Sequence, residues 1–242
     1  MTADSTSTDI STRRGDEQLR ALIEDAAPRL ADADAQDVLQ WAGDTFGDGL
    51  IVASNMQDAL LVDLAARAKP GVDVLFLETG YHFAETIGTR DAAAQLHDIN
   101  VVNALPEQTV AEQDATEGPR LHDRDPNRCC FLRKVQPLRN TLARYEAWVT
   151  GVRRVEAPTR ANTPLITWDD RNGLVKINPL AAWSDEDVDS YITEHGVLVN
   201  PLVPAGYPSI GCQPCTRKPE PGADPRSGRW AGTSKTECGL HG

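Results

Sequence analysis

Leu50-Ile51-Val52-Ala53-Ser54 is a short apolar run ending in a hydroxyl, preceded by Gly47-Asp48-Gly49 and followed by Asn55-Met56-Gln57-Asp58. A run without polar alternation predicts a strand buried on both faces, the habit of parallel sheets. Behind it, residues 59–68 carry Leu60, Leu61 and Leu64 at helical spacing. The pattern then repeats. Val72-Asp73-Val74-Leu75-Phe76-Leu77 ends in Glu78-Thr79-Gly80, residues 83–97 read as a helix, and Ile99-Asn100-Val101-Val102 reads as a third strand. Ala147-Trp148-Val149-Thr150-Gly151 and Leu174-Val175-Lys176-Ile177 predict two more. Ser184-Asp185-Glu186-Asp187 is an acidic helix start, and Gly196 stands where a C-cap glycine belongs. Upstream, residues 17–41 predict two helices broken at Pro28. Strands alternating with helices predict an α/β domain, a mostly parallel sheet flanked by helices. Ligands of such sheets bind beyond the carboxyl ends of the strands. Residues 54–58, 78–82 and 151–154 are therefore the first candidates.

The 242 residues include 24 basic and 36 acidic side chains, a net charge of −12. That balance argues against general nucleic-acid affinity, which needs a basic surface, but leaves room for a local basic pocket. No stretch approaches the ~20 apolar residues of a membrane span. Residues 1–16 are rich in Ser, Thr and Asp, lack the apolar core of a secretory signal, and are expected to be a disordered tail. Residues 17–218 are expected to form the α/β domain and 219–242 a mobile C-terminal tail. Five cysteines without a signal point to a reducing compartment, the cytoplasm, where metal or redox chemistry outweighs structural disulfides. A homo-oligomeric assembly stays open.

Cys129 and Cys130 are adjacent, Cys212-Gln213-Pro214-Cys215 is a C-x-x-C, and Cys238 stands apart. Two pairs suffice for one tetrahedral ion or one cubane cluster. Neighbouring side chains on a helix diverge by ~100°, which suits separate iron corners better than a single zinc. Buried thiols beside a redox pair are the bland alternative. Arg124, Arg128, Arg133 and Lys134 surround the vicinal pair; cations there stabilise thiolates and attract anions. A solvated basic helix face is the competing explanation. Cys238 is flanked by Arg226, Arg229, Lys235 and His241, cations that lower a thiol's pKa, so it reads as a nucleophile rather than an inert terminal cysteine.

Taken together, Cys129-Cys130 with Arg133-Lys134, the 212–215 loop, Arg226-Ser227-Gly228-Arg229-Trp230 and Glu237-Cys238-Gly239-Leu240-His241 resemble the assimilatory adenylyl-sulfate (APS) reductases. The likeness extends to residues 54–58, 77–80 and 148–154. It implies an adenine-nucleotide α-hydrolase-like fold and a [4Fe–4S] cluster on Cys129, Cys130, Cys212 and Cys215. It further implies that Cys238 attacks the sulfate sulfur of APS, that AMP leaves, and that thioredoxin releases sulfite from the S-sulfocysteine. Lys134 matches a lysine linking substrate and cluster, and Arg226 and Arg229 match tail arginines that approach the sulfate. Ser54, Asn55, Met56, Gln57 and Asp58 match a modified phosphate loop, joined in the implied substrate-binding set by Thr79, Gly80 and Arg153.

The residue types suit that chemistry. An anion attacking an anionic sulfate needs cations to offset repulsion, and guanidinium forks match tetrahedral oxyanions. ATP-splitting relatives of the fold carry a Gly-Gly-Lys-Asp-Ser type loop; Asn55-Met56-Gln57-Asp58-Ala59 has neither glycine nor lysine. That counts against an ATP-dependent adenylating enzyme. Reductases of the 3′-phosphorylated substrate, PAPS, lack the two cysteine pairs, so PAPS or dual specificity is the nearer alternative. A cluster- or zinc-stabilised binding module without turnover is the third.

Overall fold

The computed structural model describes residues 13–231, 235 and 239–240. Six strands form one sheet: β1 (Leu50–Ala53), β2 (Val72–Leu77), β3 (Ile99–Ala104), β4 (Ala147–Val149), β5 (Ile166–Asp169) and β6 (Leu174–Ile177). Their spatial order is β3-β2-β1-β4-β6-β5. All neighbours pair parallel except β5, which runs antiparallel to β6 at the edge. Each strand expected from an apolar run is present. β5 was not anticipated, and its Ile-Thr-Trp-Asp sequence sits on an edge with a single partner.

Alternation along β1 and β4 divides the core in two. Leu50, Val52, Val74, Ala147, Val149 and Ile177 face a large cluster. It is covered by α1 (Asp16–Arg29), α2 (Ala35–Phe46), α3 (Leu60–Ala68), α4 (Ala84–Leu96) and α9 (Asp185–His195), which contribute Leu19, Leu39, Leu60, Ala93 and Tyr191. Ile51, Leu75, Trp148 and Leu174 face the other way, onto Leu138 and Leu142 of α8 (Gln136–Leu142), which follows the short helices α5 (Val110–Glu117), α6 (Leu121–Arg124) and α7 (Pro126–Cys130). Central strands buried on both faces explain why their sequences lack alternation.

Local chemistry sets the boundaries. Asp34 caps α2 by accepting from the Asp37 amide at 2.8 Å. Ser184 and Asp187 cap α9 reciprocally, and Gly196 closes it at φ 61°. Pro28 sits in the last turn of α1; the break falls after Arg29. Packing starts inside the stretch read as a disordered tail: α1 begins at Asp16, and Arg14 forms an ion pair with Glu146 at 2.6 Å. Residues 1–12 of that stretch lie outside the described residues. Among the described residues no helix is long and apolar enough to cross a membrane.

The sheet order reverses direction between β1 and β4, since β2 and β3 lie on one side of β1 and β6 and β5 beyond β4. A crevice opens at such a switch point above the carboxyl ends of the strands. Residues 54–58 leave β1 there and residues 150–154 leave β4.

Candidate active site

The loop after β1 is built largely by its own side chains. Ser54 Oγ accepts from the Met56 amide at 3.2 Å, and Asn55 Oδ1 from the Gln57 amide at 3.1 Å. Met56 takes a left-handed φ of 58° and its side chain is wholly buried in the main core. Its expected contact with substrate therefore falls to its backbone; the side chain is core. Asp58 Oδ1 accepts from the Leu60 amide at 3.0 Å at the start of α3. Burial pushes its carboxyl above the usual range, against the pull of that amide and of Arg153. Gln57 is a staple: its Nε2 donates to the Pro208 carbonyl at 3.2 Å, and its Oε1 accepts from the Ile210 amide at 3.1 Å. Across the crevice, Arg153 pairs with Asp185 at 2.8 Å, while its buried Nη1 has no hydrogen-bond partner among the described residues. That leaves one guanidinium donor beside the loop.

The second half of the site lies past β2. Thr79 is fully buried; its Oγ1 accepts from the Tyr81 amide and from the Cys212 thiol at 3.4 Å. The Tyr81 carbonyl accepts from the Gln213 amide at 2.7 Å. Gly80, in a left-handed turn, donates its amide to Glu78. His82 Nε2 donates to the Leu77 carbonyl at 2.8 Å, which makes it a turn residue. These bonds fasten the C-x-x-C loop to the end of β2.

Opposite stands α7 (Pro126–Cys130), whose Asp125 cap accepts from the Arg128 amide at 2.9 Å. It widens into a π-turn, Phe131–Val135, before α8. Cys129, Cys130, Cys212 and Cys215 line one pocket with Tyr81, Lys134, Arg229 and Trp230. Burial, then the neighbouring thiols, push Cys129 up to about 12 and Cys215 up to about 11. Arg133 opposes that rise at Cys129, and Lys134 and Arg229 oppose it at Cys215. Among the described residues no three His, Cys, Asp or Glu side chains are placed to hold one metal ion.

The four cations expected around the thiols separate into two kinds. Arg124 is exposed and bonds the Pro119 and Glu117 carbonyls, and exposed Arg128 pairs with Glu117 at 2.8 Å. Neither lines the pocket. Arg133 is buried and donates to the carbonyls of Thr79 and Gln108 and to Gln113 Oε1. Lys134 lines the pocket.

The start of the C-terminal stretch read as a mobile tail is paired with the cysteine loop. Thr216 and Arg229 form an antiparallel bridge, the Arg217 amide donates to the Gly228 carbonyl at 2.9 Å, and the Trp230 amide to the Cys215 carbonyl at 3.0 Å. Arg226 begins this turn, its carbonyl accepting from the Arg229 amide at 2.8 Å. A Cβ at Gly228 would overlap the Arg217 carbonyl oxygen, backbone against backbone. Gly228→Ala is therefore expected to part the ladder at a cost of about 1–3 kcal/mol. Hydrogen exchange at the Arg217 and Trp230 amides should accelerate about tenfold per 1.4 kcal/mol; unchanged exchange would show that the pairing does not need glycine. Cys238 and His241 lie outside the described residues. On either side of Cys238, Lys235 donates to Asn127 of α7 at 2.6 Å, and Leu240 packs against the cluster containing Trp148.

Residues 50–218 match the model of the phosphoadenosine phosphosulfate reductase domain. A Mycolicibacterium smegmatis protein named adenosine 5′-phosphosulfate reductase is 66% identical, over 97% of this chain and 99% of its own. The Streptomyces coelicolor protein of that name is 60% identical, over 97% of this chain and all of its own. The chain belongs to the APS reductase family. A phosphoadenylyl-sulfate reductase from Candida auris superimposes with a TM-score of 0.67 at 28% identity, covering 86% of this chain and 100% of its own. Yeast FAD synthetase shares the fold alone, at a TM-score of 0.51 and 13% identity over 84% of this chain and 69% of its own. The expected adenine-nucleotide hydrolase-like fold is thus the one present.

Three pocket residues, Tyr81, His122 and Trp230, had no role assigned from the sequence. Tyr81 falls within the candidate segment 78–82 and Trp230 closes the 226–230 motif, whereas His122 carried no signal. The Tyr81 ring meets His122 edge-on at 5.3 Å and Arg133 at 5.2 Å, so these residues wall the pocket rather than react.

Proposed function

We propose that this chain reduces APS to sulfite and AMP, with a [4Fe–4S] cluster on Cys129, Cys130, Cys212 and Cys215, Cys238 as nucleophile and thioredoxin as reductant. The observation that carries the reading is the place of Arg229. It is strand-paired to the cysteine loop and lines the thiol pocket, in a chain 66% identical to a named APS reductase. The pocket suits the cluster: all four thiols line it, and burial raises the thiol pKa of Cys129 and Cys215, a penalty that ligation to iron would offset. Bound there, the cluster supplies iron ligation that fixes the four thiolates beside Lys134.

The chain's own residues do the rest. The residues 54–58 loop and the spare Arg153 donor bind at the switch-point crevice, where a helix start favours phosphate. Arg229, Arg226 and Lys134 offset the sulfate's charge. The Cys238 thiolate then bonds to the sulfate sulfur, the bridging S–O bond breaks, and AMP leaves with that electron pair. One thioredoxin thiolate attacks the Cys238 sulfur and sulfite departs with the S–S pair, leaving a mixed disulfide; the second thioredoxin thiolate attacks the thioredoxin sulfur of that bond, closing the thioredoxin disulfide and expelling Cys238 as thiolate. Two electrons pass from dithiol to sulfur. A reducing cytoplasm suits both the thiols and the donor.

Sulfite release measured with APS or PAPS, with and without thioredoxin, tests the proposal, alongside iron and acid-labile sulfide content. Release is expected to depend on thioredoxin and to be faster with APS. Equal or faster turnover of PAPS would overturn the substrate assignment, and protein purified anaerobically without sulfide would overturn the cluster.

A further inference from the structure

We infer that Trp230 is a positioning residue: it holds Arg229 against the thiol pocket and fixes where the chain departs toward Cys238. Three observations converge. First, Trp230 adopts a left-handed φ of 48°, which a bulky residue keeps only when its surroundings hold it there. Secondly, it is buried, lines the thiol pocket, and donates its amide to Cys215 at 3.0 Å, so its position is read from the C-x-x-C loop. Thirdly, its ring receives two cations. The Arg229 guanidinium lies 4.7 Å from the ring centroid and the Lys235 ammonium 5.5 Å.

The consequence is a chain of contacts across the site. Arg229 also donates to the Ile210 carbonyl at 3.1 Å and to Ser209 Oγ at 3.3 Å, and it presses on Gly211, where a Cβ would overlap it. Ile210 in turn donates to Gln57 of the loop after β1. Further along the chain, Lys235, the second cation on the ring, donates to Asn127 on the helix that carries Cys129 and Cys130. One indole therefore joins the sulfate arginine, the second cysteine pair and the residue that brings the chain within three positions of Cys238.

The inference rests on the proposed reaction, and its test separates the two. Equilibrium binding of APS, iron content and sulfite release are measured in Trp230→Ala, Trp230→Phe, Arg229→Ala and the double variant Trp230→Ala/Arg229→Ala. Trp230→Ala is expected to weaken APS binding tenfold or more with iron content unchanged, and Trp230→Phe to restore most of it. The double variant should bind no worse than Arg229→Ala alone, because the ring acts through that guanidinium. Additive losses, or loss of iron in Trp230→Ala, would make the residue a general wall of the pocket and overturn the inference. Failure of the unaltered protein to bind APS would instead overturn the proposed function.

Discussion

Replacing Cys238 with serine is expected to lower sulfite release by at least about a thousandfold, the scale seen when a covalent nucleophile is removed. Iron content and APS affinity should stay unchanged. A serine hydroxyl is not ionised near neutral pH. Even a sulfated serine would offer thioredoxin no sulfur–sulfur bond to attack. The structure explains why the effect should be confined to chemistry. The remaining four cysteines meet in one pocket, and the chain is tied down on both sides of position 238, by Lys235 on Asn127 and by Leu240 on the sheet. Mass spectrometry after one turnover provides the positive control: the unaltered chain should gain one SO3 group at Cys238 and the variant none. Turnover retained in Cys238→Ser would remove the nucleophile assignment.

The electrostatics of the site are local. A chain of net charge −12 repels an anionic substrate at long range. In the proposed reaction Lys134 and Arg229 at the thiol pocket, with the Arg153 donor beside Asp58, supply local positive charge against that background. Low-dielectric walls concentrate such a field. Increasing salt is thus a weak lever on the buried contacts and a stronger one on approach.

The fold was legible because its central strands are buried on both faces, which prints continuous apolar runs at β1 and β4 and a run interrupted only by Asp73 at β2. β5 escaped notice since an edge strand of four residues, Ile166–Asp169, needs neither length nor a continuous apolar sequence. Within the site, cysteine spacing announced the two pairs, and the four thiols line one pocket. Side-chain direction was not legible. Met56 and Gln57 sit in one loop and read alike as substrate contacts, yet a left-handed backbone at Met56 turns one into core while the other staples Ile210. Trp230 was equally opaque, since nothing in an indole foretells a positive φ. The docking of residues 226–230 also escaped, because a two-residue ladder leaves no periodicity to read.

The same limit separated Arg133 from Arg128, five residues earlier on a helix that widens into a π-turn. Composition makes them equivalent; burial does not. Arg128 is exposed and paired at the surface with Glu117, so Arg128→Ala is expected to change stability by no more than about 0.5 kcal/mol. Arg133 is buried, and its guanidinium satisfies the Thr79 and Gln108 carbonyls and Gln113 Oε1. Arg133→Ala strands those three acceptors, and hydrogen bonds to charged groups are worth about 1.5–3 kcal/mol each. Water entering the vacated space recovers part of that, so the expected loss is about 3–5 kcal/mol, or roughly 6–20 °C in Tm for a domain of this size. Its charge also opposes the raised pKa of Cys129, and its Thr79 contact braces the partner of Cys212. Iron content should therefore fall together with stability. Arg133→Lys keeps the charge but lacks the guanidinium fork that spans three acceptors, so it should retain iron better than alanine while remaining destabilised. Thermal unfolding and iron analysis of the three variants decide the matter. An Arg133→Ala protein as stable and iron-rich as Arg128→Ala would mean that the clamp between β2, the 108–113 segment and the cysteine helix holds without its central cation.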